Sequence, residues 1–187
     1  MSMKKSLIKK YHWQIILILT LFFVALTFFI DVKTAMIILF LLILILEYII
    51  QKKKIGKIII IALFFALFIT SYYNYEYTKD NIKIGHINLF PLVAWTMGLV
   101  LVKKVYDKTK GNKYLKFAKI CLTYWIFLFS LEFLGYWIFG IKLNSNFSSL
   151  LGLGVIHAQF GMKLFYVFAG PIYILVVDYL ELNKTIK

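Results

Sequence analysis

Apolar residues run along this chain in blocks of nearly bilayer length, separated by short polar clusters. A helix needs about 20 residues, rising about 1.5 Å each, to cross about 30 Å of hydrocarbon. Six blocks approach that length, at about 13–30, 35–50, 58–73, 87–102, 120–141 and 164–180. The pattern predicts an all-α polytopic membrane protein, one six-helix transmembrane domain spanning residues 1–187. Asp31-Val-Lys-Thr leaves room only for a turn, so the second span returns antiparallel to the first. Leu150–Met162 is too apolar for a solvated loop and too short for a full crossing. With Gly152, Gly154 and Gly161 it reads as a re-entrant or interfacial segment between the fifth and sixth spans.

Composition sharpens this picture. The chain is 62% hydrophobic, against about 45–50% in soluble domains. Its net charge is +14, and every basic residue is lysine. The lysines sit between the apolar blocks and match no nucleic-acid-binding motif, so they read as membrane anchors and nucleic acid is excluded as a partner. With both termini inside, 17 lysines face the cytoplasm and five face outward. That asymmetry predicts a multi-pass protein of the cell membrane with both ends cytoplasmic. The first block exceeds a signal-peptide core of about 7–15 residues and precedes no small-x-small cleavage pattern, so it reads as a retained span.

Polar residues inside the spans are few. Thr20 and Thr27 share a face, open either to a neighbouring helix or to back-bonding within their own. Glu47, near Lys52, Lys53, Lys54 and Lys57, reads as one half of an interfacial ion pair. The third span opens as an Ile-rich helix suited to facing lipid. Tyr72, Tyr73, Tyr75 and Tyr77 fit the aromatic belt. Asn88, Pro91 and Trp95 share a face of the fourth span, and Gly98 suggests a close helix approach. Lys103–Lys119 reads as a basic cytoplasmic loop with an amphipathic turn. Gly170-Pro171 breaks the last span, and a neighbour must satisfy the carbonyl that the proline leaves without a donor. Asp178 lies near the inner end of that span.

Glu132 stands out. A carboxyl at mid-span costs roughly 2.5–3.5 kcal/mol on insertion scales, so such residues turn toward a bundle interior. At 100° per residue it shares a face with Cys121, Trp125, Leu128, Tyr136 and Phe139. As a structural group it would hydrogen-bond to Tyr173 or Asn88. As a functional one it would relay a proton, bind a cation or act as a catalytic acid on an apolar substrate, with Trp95, Trp125, Tyr136, Tyr173, Asn88 and His157 lining a ligand site. The first three spans are aliphatic and the last three carry the tryptophans, which separates a scaffold half from a site half. Trp137 and the tyrosines acting as belt anchors alone is the competing reading.

His86 and His157, with Glu76 or Asp80, are the residues a metal would need, but their spacing matches no metal motif, and independent interfacial histidines are favoured. No metal or cofactor is expected. No span holds a histidine for haem or a mid-membrane lysine for a Schiff base. Cys121 is the sole cysteine, so no intramolecular disulfide forms. Asn146-Phe-Ser148 is a glycosylation sequon on the predicted outer face.

Two stretches resemble the small membrane-embedded lycopene (carotenoid) cyclases. Tyr73-Asn74-Tyr75 precedes Ile87-Asn88-Leu89-Phe90-Pro91-Leu92-Val93-Ala94-Trp95, as an aromatic-Asn stretch precedes a Pro-Leu-Glu-Glu-Trp helix in that family. Trp137-Ile138-Phe139 followed by Gly154-Val155-Ile156-His157 gives a fainter echo. The resemblance implies a helical domain handling an isoprenoid. The family's paired carboxylates fall on Val93 and Ala94, so no catalytic residue carries over.

Three functions follow as expectations. The aromatic half binds, and on one branch converts, an apolar or amphipathic molecule such as a lipid or isoprenoid. Alternatively the chain is a small proton-coupled transporter using Glu132, or a non-catalytic membrane scaffold or accessory subunit. Its partners are the lipid bilayer, an apolar small molecule and, on the transporter reading, a second copy of the chain.

Overall fold

The computed structural model describes residues 11–73, 75–79, 81–144 and 147–182. The lysines of the N-terminal lead and the tail, Asn74, Asp80 and Asn146 of the sequon lie outside them. The described chain is helical except for one short ribbon and irregular connectors. Its α-helices are α1 (His12–Leu26), α2 (Val32–Gln51), α3 (Lys53–Tyr73), α4 (Leu89–Lys108), α5 (Lys113–Phe133) and α6 (Phe160–Leu182). Five are long and apolar enough to cross a membrane, and α1 is shorter. Large side chains stay uncovered along them, among them Phe64, Phe68, Ile126, Phe127, Phe168 and Ile172. A water-soluble monomer rarely leaves so much contiguous apolar surface bare. These helices fit a multi-pass membrane protein.

The chain divides into two compact units. The first comprises Met1–Ser71 with Asp80–Met97. Here α1 packs on α2 through the tight turn expected from Asp31, whose carboxylate caps α2 by accepting the Thr34 N–H at 3.0 Å. Thr20 and Thr27 bond back to the Ile16 and Val24 carbonyls of their own helix. Glu47 is buried, and its carboxylate meets His12 Nε2 at 3.1 Å and Gln51 Nε2 at 2.7 Å. On α3, Ile55, Ile58, Ala62, Ala66 and Ile69 are buried while Phe64 and Phe68 are exposed. The Ile-rich start of this helix therefore has a covered face, which a run of isoleucines cannot reveal because every position is apolar.

A two-stranded ribbon precedes α4. β1 (Lys83–Ile84) pairs antiparallel with β2 (Ile87–Asn88), Lys83 opposite Asn88. Gly85, at φ +61°, takes the first place of its two-residue turn, where a side chain would be strained. Asn88 sets where the fourth helix begins. Its Nδ2 donates to Asn81 Oδ1 at 2.8 Å and its Oδ1 accepts the Phe90 N–H at 3.1 Å, so the helix starts at Leu89.

The second unit comprises Tyr72–Lys79 with Gly98–Lys187. α4 runs six residues past the end of its apolar block, to Lys108. Only Thr109–Asn112 then separates it from α5, which Asn112 caps by accepting the Leu115 N–H at 2.9 Å. Most of the supposed basic loop is thus helix, because lysine has good intrinsic helix propensity and Lys103 is buried. α5 passes into a π-helical turn at Leu134–Ile138. Residues Leu150–Met162 form a three-residue 3-10 turn, a compact irregular loop and the first turn of α6, with no re-entrant helix among them. A Cβ on Gly98 would meet no described atom within 4 Å, so no close helix approach depends on that glycine.

Candidate functional site

The Pro171 break in α6 organises the interior of the second unit. Proline has no N–H, so the Val167 carbonyl lacks its helical donor. Trp125 on α5 supplies one, its Nε1 lying 2.9 Å from Val167 O. One residue earlier, the Tyr124 hydroxyl donates to Tyr166 O at 2.5 Å. Gly170 makes room for this contact. A Cβ there would lie 2.5, 2.6 and 2.8 Å from three atoms of the Tyr124 ring. Trp125, predicted as a ligand contact, thereby has its indole N–H engaged by the carbonyl that Pro171 leaves without a donor.

Around this contact lie buried phenols. Tyr75, Tyr77, Tyr124, Tyr166 and Tyr173 are each at most 9% exposed. Tyr75 donates to the Tyr166 hydroxyl at 3.1 Å and stacks on Tyr77 with centroids 6.3 Å apart. The segment carrying Tyr75 and Tyr77 is held by backbone bonds, Thr78 N to Lys142 O at 2.9 Å and Asn144 N to Glu76 O at 2.7 Å. Burial, with Tyr75 and Glu132 nearby, raises the Tyr77 phenol well above its ordinary pKa. It remains a neutral donor. The tyrosines expected in an interfacial belt divide accordingly, with Tyr72 exposed and Tyr75 and Tyr77 inside.

Glu132 sits in the last turn of α5 before the π turn and is half-buried. Tyr77, Tyr124 and Tyr166 lie within its electrostatic reach. Among the described residues its carboxyl makes no hydrogen bond and no ion pair, so the bond to Tyr173 is not made, and Asn88 is engaged at the ribbon. A polar group left unsatisfied in an apolar setting costs about 1–3 kcal/mol, more when charged. Beside the π turn an open apolar groove of about 450 Å³ is lined by Phe129, Ser130, Phe133, Leu134, Leu153 and Val155.

Tyr136, inside the π turn, stacks on His157 with centroids 4.0 Å apart and planes 14° from parallel. Two predicted site residues 21 positions apart are thus brought together. Trp137 Nε1 donates to Gly154 O at 3.0 Å and ties the loop to the same turn. Burial, then Lys163 and Lys142, holds the His157 pKa below its ordinary value, so the imidazole is neutral. Asn88 and Trp95 belong to the first unit, Trp95 half-buried on α4. His86 is exposed at the tip of the ribbon. Among the described residues no three His, Cys, Asp or Glu side chains are placed to hold a metal.

A second polar cluster escaped the sequence reading. Lys103 is 1% exposed, with Asp107 Oδ1 at 2.5 Å and Asp178 Oδ1 at 3.9 Å. Tyr106 donates to the other Asp178 oxygen, and Lys116 lies 3.8 Å above the Tyr106 ring. The signal available was the i,i+4 spacing of Lys103 and Asp107, which continues the helix where hydropathy stops. The histidine beside Glu47 was likewise missed, because His12 is 35 residues away. Comparisons with protein families, with curated proteins and with solved structures gave no match.

Proposed function

We propose that this protein binds an apolar or amphipathic small molecule, a lipid or isoprenoid, at the face of α5 that carries Glu132. One observation carries the reading: a carboxyl inside a bilayer-length helix that no described side chain or backbone group satisfies. A ligand hydroxyl or amine would supply the missing partner, and the groove by the π turn, farther round the same helix, would take its chain. The buried phenols of Tyr77 and Tyr166 favour the same class, since they line the interior of this unit without adding charge.

The fold proposed with this function is six passes with both termini cytoplasmic, α1 making the first. The lysine distribution supports it.

Organic extraction and mass spectrometry of the protein purified in mild detergent test the reading. A specific amphiphile is expected from the wild type and is expected to be lost from Glu132→Gln at unchanged melting temperature. Recovery of bulk membrane lipid alone, identical in both proteins, removes the proposal.

A second reading, proton-coupled transport, draws on the Tyr75–Tyr166 hydroxyl pair near Glu132. It requires that Glu132→Gln abolish pH-dependent uptake in proteoliposomes.

A further inference from the structure

Between the π turn of α5 and the start of α6, Lys142 and Lys163 both act on His157, and among the described residues no carboxylate pairs with either. Lys163 is 9% exposed. Its ammonium donates to Ser148 Oγ at 2.9 Å and to Ser149 O at 3.2 Å, both neutral acceptors. Among the described residues no carboxylate pairs with it. A buried cation without a counter-charge is costly, and pairing with an anion relieves that cost. Lys163 also lies in the first turn of α6, where free N–H groups and the helix dipole add positive potential.

Lys142 adds a second charge. It is exposed, its Nζ lies 4.8 Å from the Tyr136 centroid and 5.8 Å from that of Trp137, and no described carboxylate pairs with it. Tyr136 is the ring stacked on His157, and both lysines act on that imidazole. The loop that carries His157 is strained. Leu151 sits at φ +49° and Ile156, a β-branched residue, at φ +52°. Such conformations persist only where their surroundings enforce them, and they gather at ligand clamps. The same loop supplies Leu153 and Val155 to the apolar groove, and the π turn supplies Leu134.

We propose that the ligand is an amphiphile with a phosphate headgroup: Lys142 and Lys163 hold the phosphate oxygens, and the groove takes the chain. Phosphate offers several charged acceptors to two ammonium groups, and neutral His157 offers one further ring nitrogen as a donor. The proposal rests on the ligand-binding reading above and adds the chemistry of the head.

The test uses the full chain in uncharged detergent, with tryptophan fluorescence reporting the binding of dodecyl phosphate, dodecanol and inorganic phosphate. Dodecyl phosphate is expected to bind at least about tenfold tighter than dodecanol. Lys142→Gln is expected to remove about tenfold of that preference and leave dodecanol unchanged. Lys142 is exposed, so this variant keeps its fold, and its melting temperature verifies that. Lys163→Gln is expected to act in the same direction. Equal binding of dodecyl phosphate and dodecanol overturns the headgroup assignment and leaves the ligand-binding reading standing. Failure of both to bind overturns that reading itself. Inorganic phosphate binding as tightly as dodecyl phosphate marks a free-anion site and overturns the amphiphile. A Lys142→Gln protein that retains the full preference overturns the role of that lysine.

Discussion

The link between Trp125 and the Pro171 break makes a quantitative prediction. Trp125→Phe removes the indole donor at 2.9 Å and leaves the Val167 carbonyl unsatisfied. Abandoning this part-buried acceptor costs toward the low end of the about 1–3 kcal/mol lost at a buried one, and the smaller ring adds a packing loss. Pro171→Ala restores a backbone N–H to that carbonyl, so in the Pro171→Ala background only the packing loss remains. The two substitutions should therefore couple. Hydrogen bonds between transmembrane helices average about 0.6 kcal/mol by double-mutant cycles and reach about 1.7. The coupling is expected in that range, at or above the roughly 0.3–0.5 kcal/mol within which independent substitutions add. Should Pro171→Ala shift α6 and pull Val167 from the indole, the coupling survives with the same sign, because Trp125→Phe then has nothing left to break. Reversible unfolding of the four proteins in mild detergent by added dodecyl sulfate measures the cycle. An additive result, with Trp125→Phe equally costly in both backgrounds, refutes the claim that the indole serves the carbonyl freed by proline.

Three further outcomes follow from the same geometry. Gly170→Ala should destabilise by about 1–3 kcal/mol in the same assay, because its Cβ would sit within 2.8 Å of three Tyr124 ring atoms. Gly98→Ala, with open space at that position, should not. Lys103→Met should cost about 1–3 kcal/mol by removing the cation that Asp107 and Asp178 share, less than for a fully buried pair because both carboxylates keep some exposure to solvent. Lys108→Met, at an exposed position, should stay within about 0.5 kcal/mol. For His157 the folded-state pKa lies below that of the unfolded chain, so the unfolded state binds the extra proton. Its contribution to stability is therefore complete above about pH 6.5 and is lost as the pH falls through the folded value. Melting temperatures from pH 8 to pH 5 should fall more steeply for wild type than for His157→Phe, which keeps a ring against Tyr136. Parallel curves would place the imidazole outside the loop's energetics.

Much of the architecture was legible because hydrocarbon imposes a length. Blocks of apolar residues that long have few soluble alternatives, so helical class, helix number and the α1–α2 turn follow from pattern alone. The need for a donor at the Pro171 break was equally readable, since it follows from the missing N–H of one residue. Hydropathy misplaced the helix ends, because it registers where the apolar block stops and not where backbone bonding does. α4 continues through Lys103–Lys108 and α6 begins four residues before its apolar block. Face assignments within all-apolar runs were also beyond it, since period 3.6 cannot be seen where every position is hydrophobic.

The sequence by itself determined that Glu132 lies within a bilayer-length apolar block and that such a carboxyl needs a partner. Tertiary structure decided that no described neighbour supplies one, that Tyr136 meets His157, and that the Trp125 indole serves the Val167 carbonyl. It also put Lys103, Asp107 and Asp178 together and left Lys163 buried among neutral groups. The division has one physical cause. Length and hydropathy act locally along the chain, whereas hydrogen bonds and charge pairing join residues tens of positions apart, and only the packing of helices selects which of them meet.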